Sequence, residues 1–363
     1  MSPSGNSPER YDVIVVGAGP AGCEAAVAAA NLGAKTLCLT INLDSVALHP
    51  AGPVLAEGKD DPRSALLHEL REIGGILPEI LMHEGTTTGV PEKGRVLIDR
   101  RRVSLAYKAR LEHTEGVELR QGLVVSLAPQ DGYWVVRTKL EEAFSASCVI
   151  VAAGTYLNGT VTEAGVSVPG GRHGEIPSNS LAVCLATLGI NLEPANATCF
   201  ARVAAGSAGS AGLPPDGEAL RELYALGIEL NGSRAHALQI IRSSPGCGKP
   251  PAATAAPGGL TRAWITRSQF TVGHLILSAD QVGRDLQSRP HPGLFFAGRA
   301  AGSCNYAEAA ALGMFAGDNA AVRAKCPAGG RLIKDLKNIK KLVAAIAEQQ
   351  ARPVTIRKPP PGC

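Results

Sequence analysis

Residues 13–40 read VIVVGAGPAGCEAAVAAANLGAKTLCLT. The apolar run Val13–Val16 stops at Gly17-Ala18-Gly19-Pro20-Ala21-Gly22, an alanine-rich stretch follows, and a second apolar run covers Thr36–Leu39. Strand, glycine turn, helix, strand is the opening of a dinucleotide-binding unit, and it constrains the fold more than any other feature of the chain. Gly17 allows the tight turn, Gly19 lets the backbone approach a pyrophosphate, and Gly22 lets the helix pack close to the strand. The helix, opening on Pro20 and Ala21, offers amide donors and the positive end of its dipole. The Asp or Glu that usually holds the ribose hydroxyls at the end of the second strand is missing; Thr40, Ile41 and Asn42 stand there.

Two later stretches select FAD over NAD as the resident cofactor. VIVAAGT (149–155) carries Ala153 and Gly154 past the adenosine end, and GLFFAGRAAGSCNYAEAAALG (293–313) is a strand and glycine turn running into a small-residue helix. Ala309 and Ala310 permit close approach of backbone amides to a flavin ring. Glu308, near the start of that helix, is a candidate cofactor contact, with a structural role suited to the dipole as the alternative. A glycine fingerprint at the start paired with a glycine turn near the end is the layout of two-domain flavoproteins. The expected fold is α/β, of glutathione-reductase type: a Rossmann-like FAD domain from residues 1–155 and 291–330, an inserted mixed α/β substrate domain at 156–290, and a C-terminal helix and tail at 331–363.

Between these landmarks, 45–63 reads as a loop, 64–73 and 98–116 as helices, and 117–122, 123–129 and 133–140 as short strands. Val103, Ala106 and Leu111 are expected on the buried side of the second helix. In 156–290, Gly- and Pro-rich turns surround one helix, Ser180–Leu188, with loops at 204–217 and 243–259; a Lys-rich amphipathic helix is expected at 331–349.

Composition narrows the function. Aromatics at 4% argue against a base-stacking platform for single-stranded RNA, and a net charge of +4 permits a nucleic-acid partner without implying one. The nine cysteines show no CxxC pair, which favours a reducing, cytoplasmic setting with no metal site. No signal peptide, membrane-length apolar run or internal repeat is read.

Several stretches together resemble the GidA (MnmG) and TrmFO family of flavin-dependent tRNA-uridine-modifying proteins: the opening DVIVVGAGPAGCEAAVAAANLGAKTLCLTINLDS, LREIGG, RRRVSLAYKARLE, VAAGTYLNG, PGGRHGEIPSNSLAVCLATLGI and GLFFAGRAAGSCNYAEAAALGMFAGDNAA. The resemblance implies FAD, with Gly17, Gly19 and Gly22 at the pyrophosphate, Thr40 and Asn42 in place of the ribose acid, and Val125, Gly154 and the Gly298–Gly302 turn along the cofactor. It also implies reduction by NAD(P)H and a folate or tRNA-borne substrate. The family carries a Cys in a Ser-Cys-Asn-Pro-Ala-like run where this chain has Leu48-His49-Pro50-Ala51-Gly52, and its Thr-Gly-Thr-Pro-Pro-Arg run appears as Ala197-Thr198-Cys199-Phe200-Ala201-Arg202. The helical RNA-binding domain of long members is absent, so any tRNA affinity is expected to be weak and salt-sensitive.

Cys199 is the candidate thiol beside the flavin, against an inert buried Cys; Cys247 and His49 are weaker candidates in loops. His173 follows the Gly170-Gly171-Arg172 turn that the family places near the flavin. Arg299 replaces the family's usual Gln and either stabilises a reduced, anionic flavin or pairs with a carboxylate. Arg100–Arg102 either touch phosphate or form a solvated helix start. Three functions remain open: a FAD-dependent oxidoreductase related to the tRNA modifiers, a small-molecule flavin oxidoreductase, and a non-catalytic FAD-binding regulator, as monomer or homo-oligomer.

Overall fold

The computed structural model describes residues 8–48, 54–57, 62–83, 95–199, 202–204, 229–231, 265–267, 270–325 and 341. The strands are β1 (Glu9–Val16), β2 (Thr36–Thr40), β3 (Val54–Glu57), β4 (Arg95–Leu97), β5 (Val117–Gln121), β6 (Val124–Gln130), β7 (Tyr133–Thr138), β8 (Ala143–Val151), β9 (Thr160–Glu163), β10 (Val166–Pro169), β11 (Leu192–Cys199), β12 (Arg202–Ala204), β13 (Glu229–Asn231), β14 (Ile265–Arg267), β15 (Phe270–Leu277) and β16 (Leu294–Phe296). The helices are α1 (Pro20–Asn31), α2 (Pro62–Glu72), α3 (Ile76–Met82), α4 (Arg100–His113), α5 (Asn179–Thr187) and α6 (Tyr306–Lys325). His49, Cys247, the loop expected at 243–259 and nearly all of 204–217 and 331–363 lie outside the described residues.

The main sheet runs β5-β2-β1-β8-β7-β6, with β16 also on β8. β1 pairs in parallel with both β2 and β8, and β5 and β16 extend the parallel core. β8 changes partners along its length: Ala143–Ala146 takes antiparallel β7, and Val149–Val151 takes parallel β16. Parallel strands are covered on both faces and therefore read as continuous apolar runs; Val13–Val16 and Cys148–Val151 are all buried.

The alanines of α1 and α6 serve a close helix pair. A Cβ at Gly313 would stand 2.1 Å from the Ala21 carbonyl oxygen, and one at Gly317 would stand 2.4 Å from that of Ala25. Only small residues let two helices meet at backbone distance, so the first and last described helices lock together over the parallel strands.

The helix α3 was not expected from the sequence. Its start is held from afar: Glu24 of α1 accepts the amides of Ile76 and Leu77 at 2.9 and 2.7 Å and the Tyr107 hydroxyl of α4 at 2.8 Å. Burial pushes the Glu24 carboxyl up to about 7, against the pull of those hydrogen bonds. On α4 the fully buried residues are Val103, Tyr107 and Leu111, and Ala106 packs partly buried against the same core as expected; Tyr107 joins them with its hydroxyl on Glu24. Asp99 caps α4 through the amides of Arg101 and Arg102, whose side chains are exposed.

The region expected to be turns around one helix contains a second sheet, β10-β9-β15-β11, antiparallel throughout. Val161, Cys199, Phe270 and Val272 form its small core. The helix lies within a residue of its expected position and packs on β6. β3, within the stretch expected to be a loop, pairs with β4. Among the described residues no helix is long and apolar enough to cross a membrane.

Candidate functional site

The carboxyl ends of β1, β2 and β8 point into one crevice, where open parallel sheets place their ligands. A cavity of about 450 Å³ lies there. Its walls are the β1–α1 turn (Gly17–Ala21), the end of β2 (Leu39–Ile41), the start of β6 (Gly122–Val124), the segment after β8 (Ala152–Tyr156), the end of β11 (Asn196–Cys199) and the turn leading into α6.

The glycine turn has the shape of an anion cradle. Gly17 sits at φ +105°, and a Cβ there would come 2.4 Å from the Ala152 carbonyl oxygen. A Cβ at Gly22 would collide with the Gly17 carbonyl, whereas one at Gly19 would meet nothing within 4 Å. Gly22 thus shapes the turn from behind, and Gly19 faces open space. No side chain caps α1, and no acid stands in its first turn. An uncapped helix start with glycine access fits a phosphate-bearing group.

The other expected cofactor contacts divide. Thr40, Ala153, Gly154, Gly298, Arg299 and Ala309 line the cavity together with Gly17, Gly19, Pro20 and Ala21. Asn42 does not: its side-chain oxygen accepts the Asp44 amide at 2.8 Å and caps the turn at Leu43–Ser45. Val124, not Val125, lines the cavity; the β6–β7 pairing is irregular between Val124 and Ser126 and passes over Val125. Gly302 ends the 298–301 turn at φ +94° and does not line the cavity, and Ala310 is buried within α6. Glu308 accepts the Cys304 amide at 2.7 Å, while Asn305 accepts the Glu308 amide at 2.9 Å. Glu308 therefore belongs to the helix cap.

Of the three residues expected to be catalytic, two reach the cavity. Cys199 lines it from a buried position. Arg299 lines it and pairs with no carboxylate among the described residues; it donates to the carbonyls of Ser303 (2.7 Å) and Asn196 and to His274 Nε2 (3.1 Å). His173 is placed elsewhere. Its Nε2 lies 3.0 Å from Glu163, its ring packs on Phe270, and it borders a second hollow beside β10. The Arg172–Glu175 bridge folds this turn back on itself, so Arg172 reaches the first cavity while His173 turns away from it.

Several site residues were not singled out in the sequence. The Tyr156 hydroxyl and Arg172 both donate to Glu175, and Ser45, 3.0 Å from Glu175 and from Arg172, closes the cluster. Burial pushes the Glu175 carboxyl up, but the Arg172 charge and the Tyr156, Arg172 and Ser45 hydrogen bonds outweigh it and hold the group below the usual carboxylate value. The quoted stretch PGGRHGE contained both charges of this cluster. His274 of β15 is a second such residue. Burial pushes it down to about 4; the Val272 carbonyl, 3.0 Å from Nδ1, opposes this, and the Arg299 charge adds to it. The neutral ring therefore donates from Nδ1 to Val272 and accepts from Arg299 at Nε2. Cys304, exposed on the cavity wall, is the other thiol lining it.

A family model described as glucose inhibited division protein A matches residues 12–211 and 256–327. The tRNA uridine 5-carboxymethylaminomethyl modification enzyme MnmG of Heliobacterium modesticaldum is 36% identical over 193 residues, 50% of this chain and 30% of that protein. The enzyme of the same name from Clostridium botulinum is 27% identical over 405 residues, 87% of this chain and 62% of that protein. The chain thus spans less than two thirds of the length of these curated relatives. Aquifex aeolicus GidA superposes with a TM-score of 0.76 at 21% identity, covering 94% of this chain and 68% of that one. A GidA-related protein from Thermus thermophilus gives 0.52 at 16% identity, covering 85% and 97%. At these identities the superpositions show the fold, the two-domain α/β architecture of glutathione-reductase type.

Proposed function

The chain belongs to the glucose inhibited division protein A family, and on that premise we propose that it is a FAD-binding oxidoreductase related to the enzymes that modify tRNA uridine. The observation that carries the reading is the single cavity running from an uncapped, glycine-lined helix start to the second sheet and the turn before α6. The amides of Gly17–Ala21 would hold the pyrophosphate, Thr40 and Gly122–Val124 the adenosine, and Tyr156, Asn196–Cys199 and Arg299 the flavin ring. When bound, FAD supplies two-electron transfer, with NAD(P)H as the reductant and a folate or tRNA uridine as the substrate class. The protein's own residues orient and seal the site: the Ser45–Arg172–Glu175–Tyr156 cluster ties the loop after β2 to the turn after β10.

A second reading, a small-molecule flavin oxidoreductase, is favoured by the run Leu48-His49-Pro50-Ala51-Gly52, which lacks the family's thiol. The first test is the absorbance of the purified protein and the nucleotide released on heating. A yellow protein releasing FAD is expected, and Gly19→Asp is expected to abolish retention, because a carboxylate on the pyrophosphate path repels it. A colourless protein that cannot be reconstituted with FAD would overturn the reading. Anaerobic bleaching by NADH or NADPH, beside an assay for modified uridine in tRNA, separates the two substrate classes.

A further inference from the structure

Two guanidinium groups line the cavity, and they differ in their partners. Arg172 faces the carboxylate of Glu175. Arg299 donates to two backbone carbonyls and to a histidine ring nitrogen, all uncharged, and no carboxylate among the described residues pairs with it. The other titratable cavity residues are Tyr156, Tyr306, Cys199 and Cys304. Neither tyrosine brings a negative charge to Arg299, because burial pushes both up.

The guanidinium is also fixed in place. Its three acceptors belong to β11, β15 and the turn after β16, so it bridges the second sheet and the main one. His274 is 3% exposed, with Nδ1 committed to the Val272 carbonyl, which leaves the Nε2 lone pair for Arg299. A protonated imidazole there would lose that acceptor and repel the guanidinium. An arginine is charged at every working pH, and a fixed cation on a half-buried cavity wall favours whichever state of the occupant carries negative charge.

We propose that Arg299, positioned by His274, sets the reduction potential of the bound flavin by stabilising its reduced, negatively charged ring. The inference rests on the FAD reading above. Two electrons and one proton then enter the ring, and the second proton that would make the reduced ring neutral stays in solvent. Arg299 is the residue facing the ring, and His274 is a positioning residue that acts through it.

The test is the flavin midpoint potential of the FAD-loaded full chain, measured against a reference dye below the pH at which free reduced FAD loses its ring proton. The wild type is expected to change by about 30 mV per pH unit, one proton per two electrons, and not by about 60 mV. Arg299→Gln is expected to adopt the steeper slope and to shift the equilibrium toward oxidised flavin at least tenfold, about 30 mV. Arg299→Lys keeps the charge without the fork and should fall between, and His274→Gln should shift in the same direction by less. FAD content is measured alongside in all three, and each potential is read on the FAD-loaded fraction. A two-proton slope in the wild type, or an Arg299→Gln protein that holds FAD with the wild-type potential, would overturn the proposal and leave the FAD reading standing. A wild type that binds no FAD overturns both. If Arg299→Gln does not fold, the wild-type slope decides alone.

Discussion

In the main sheet, Val13–Val16 and Cys148–Val151 are buried along their whole length. In the second sheet the separate core shrinks to Val161, Cys199, Phe270 and Val272, and every residue of β10 is exposed. The first region is rigid enough to hold a glycine turn at backbone contact with its neighbour. The second offers one wall, and Arg299 and the Glu175 cluster couple it to the first. The difference divides the cavity: the main sheet supplies the glycine wall, and the second sheet supplies the wall that faces it.

The largest effect is expected where the main region has least room. Gly313→Leu would drive a side chain into the Ala21 backbone. Overpacking usually costs about 1–3 kcal/mol, but here the obstacle is main chain, so loss of the cooperative unfolding transition and of soluble protein is expected. A folded Gly313→Leu protein of normal stability would erase the contrast in packing. Phe270→Ala should cost about 3–5 kcal/mol, the range for a buried Phe, and should expose the second sheet to protease before the main sheet. Cleavage starting in both sheets together would show that they unfold as one unit.

A finer contrast lies in pH. Glu24 of the main region and His274 of the second sheet are both buried, and the signs of their shifts oppose. Glu24 has its folded value raised from 4.5 to about 7, so its stabilising contribution is fully present below 4.5 and is lost as pH rises through 7. His274 has its folded value lowered from 6.5 to about 4, so its contribution is present above 6.5 and is lost as pH falls through 4. Each is worth on the order of 3 kcal/mol across its window. Urea midpoints from pH 4.5 to 7.5 should therefore show the wild-type advantage over Glu24→Gln shrinking as pH rises, and that over His274→Gln growing. Parallel trends in the two variants would refute the opposed linkage.

The parallel core was legible because burial on both faces writes continuous apolar runs, and the β1–α1 turn because only glycine tolerates its geometry. β9, β10, β11 and β15 were not, because none carries a continuous buried apolar run; LEPANATC of β11 mixes charge, proline and small residues. The short helix α3 carries Pro78 and takes its cap from Glu24, far away in sequence, so no local signal marks its start. In the site, most turn residues of the main region singled out in the sequence lie on the cavity wall, apart from those that pack behind the turns or cap them. Val125 fell at an irregularity of the β6–β7 pairing, and Asn42 was claimed by its own turn. Asn196 and His274 escaped notice because their roles come from strands that meet Arg299 only in three dimensions.

The close pairing of α1 with α6 has a consequence for how the protein is made. α1 leaves the ribosome early, but the surface that covers it is translated almost last among the described elements. At the usual pace of synthesis, roughly tens of seconds pass between the two. Throughout that interval the glycine turn is open on one flank, and the cavity cannot close. Assembly of the binding site is therefore a late event, set by the arrival of Gly313 and Gly317 and not by the early appearance of the glycine turn.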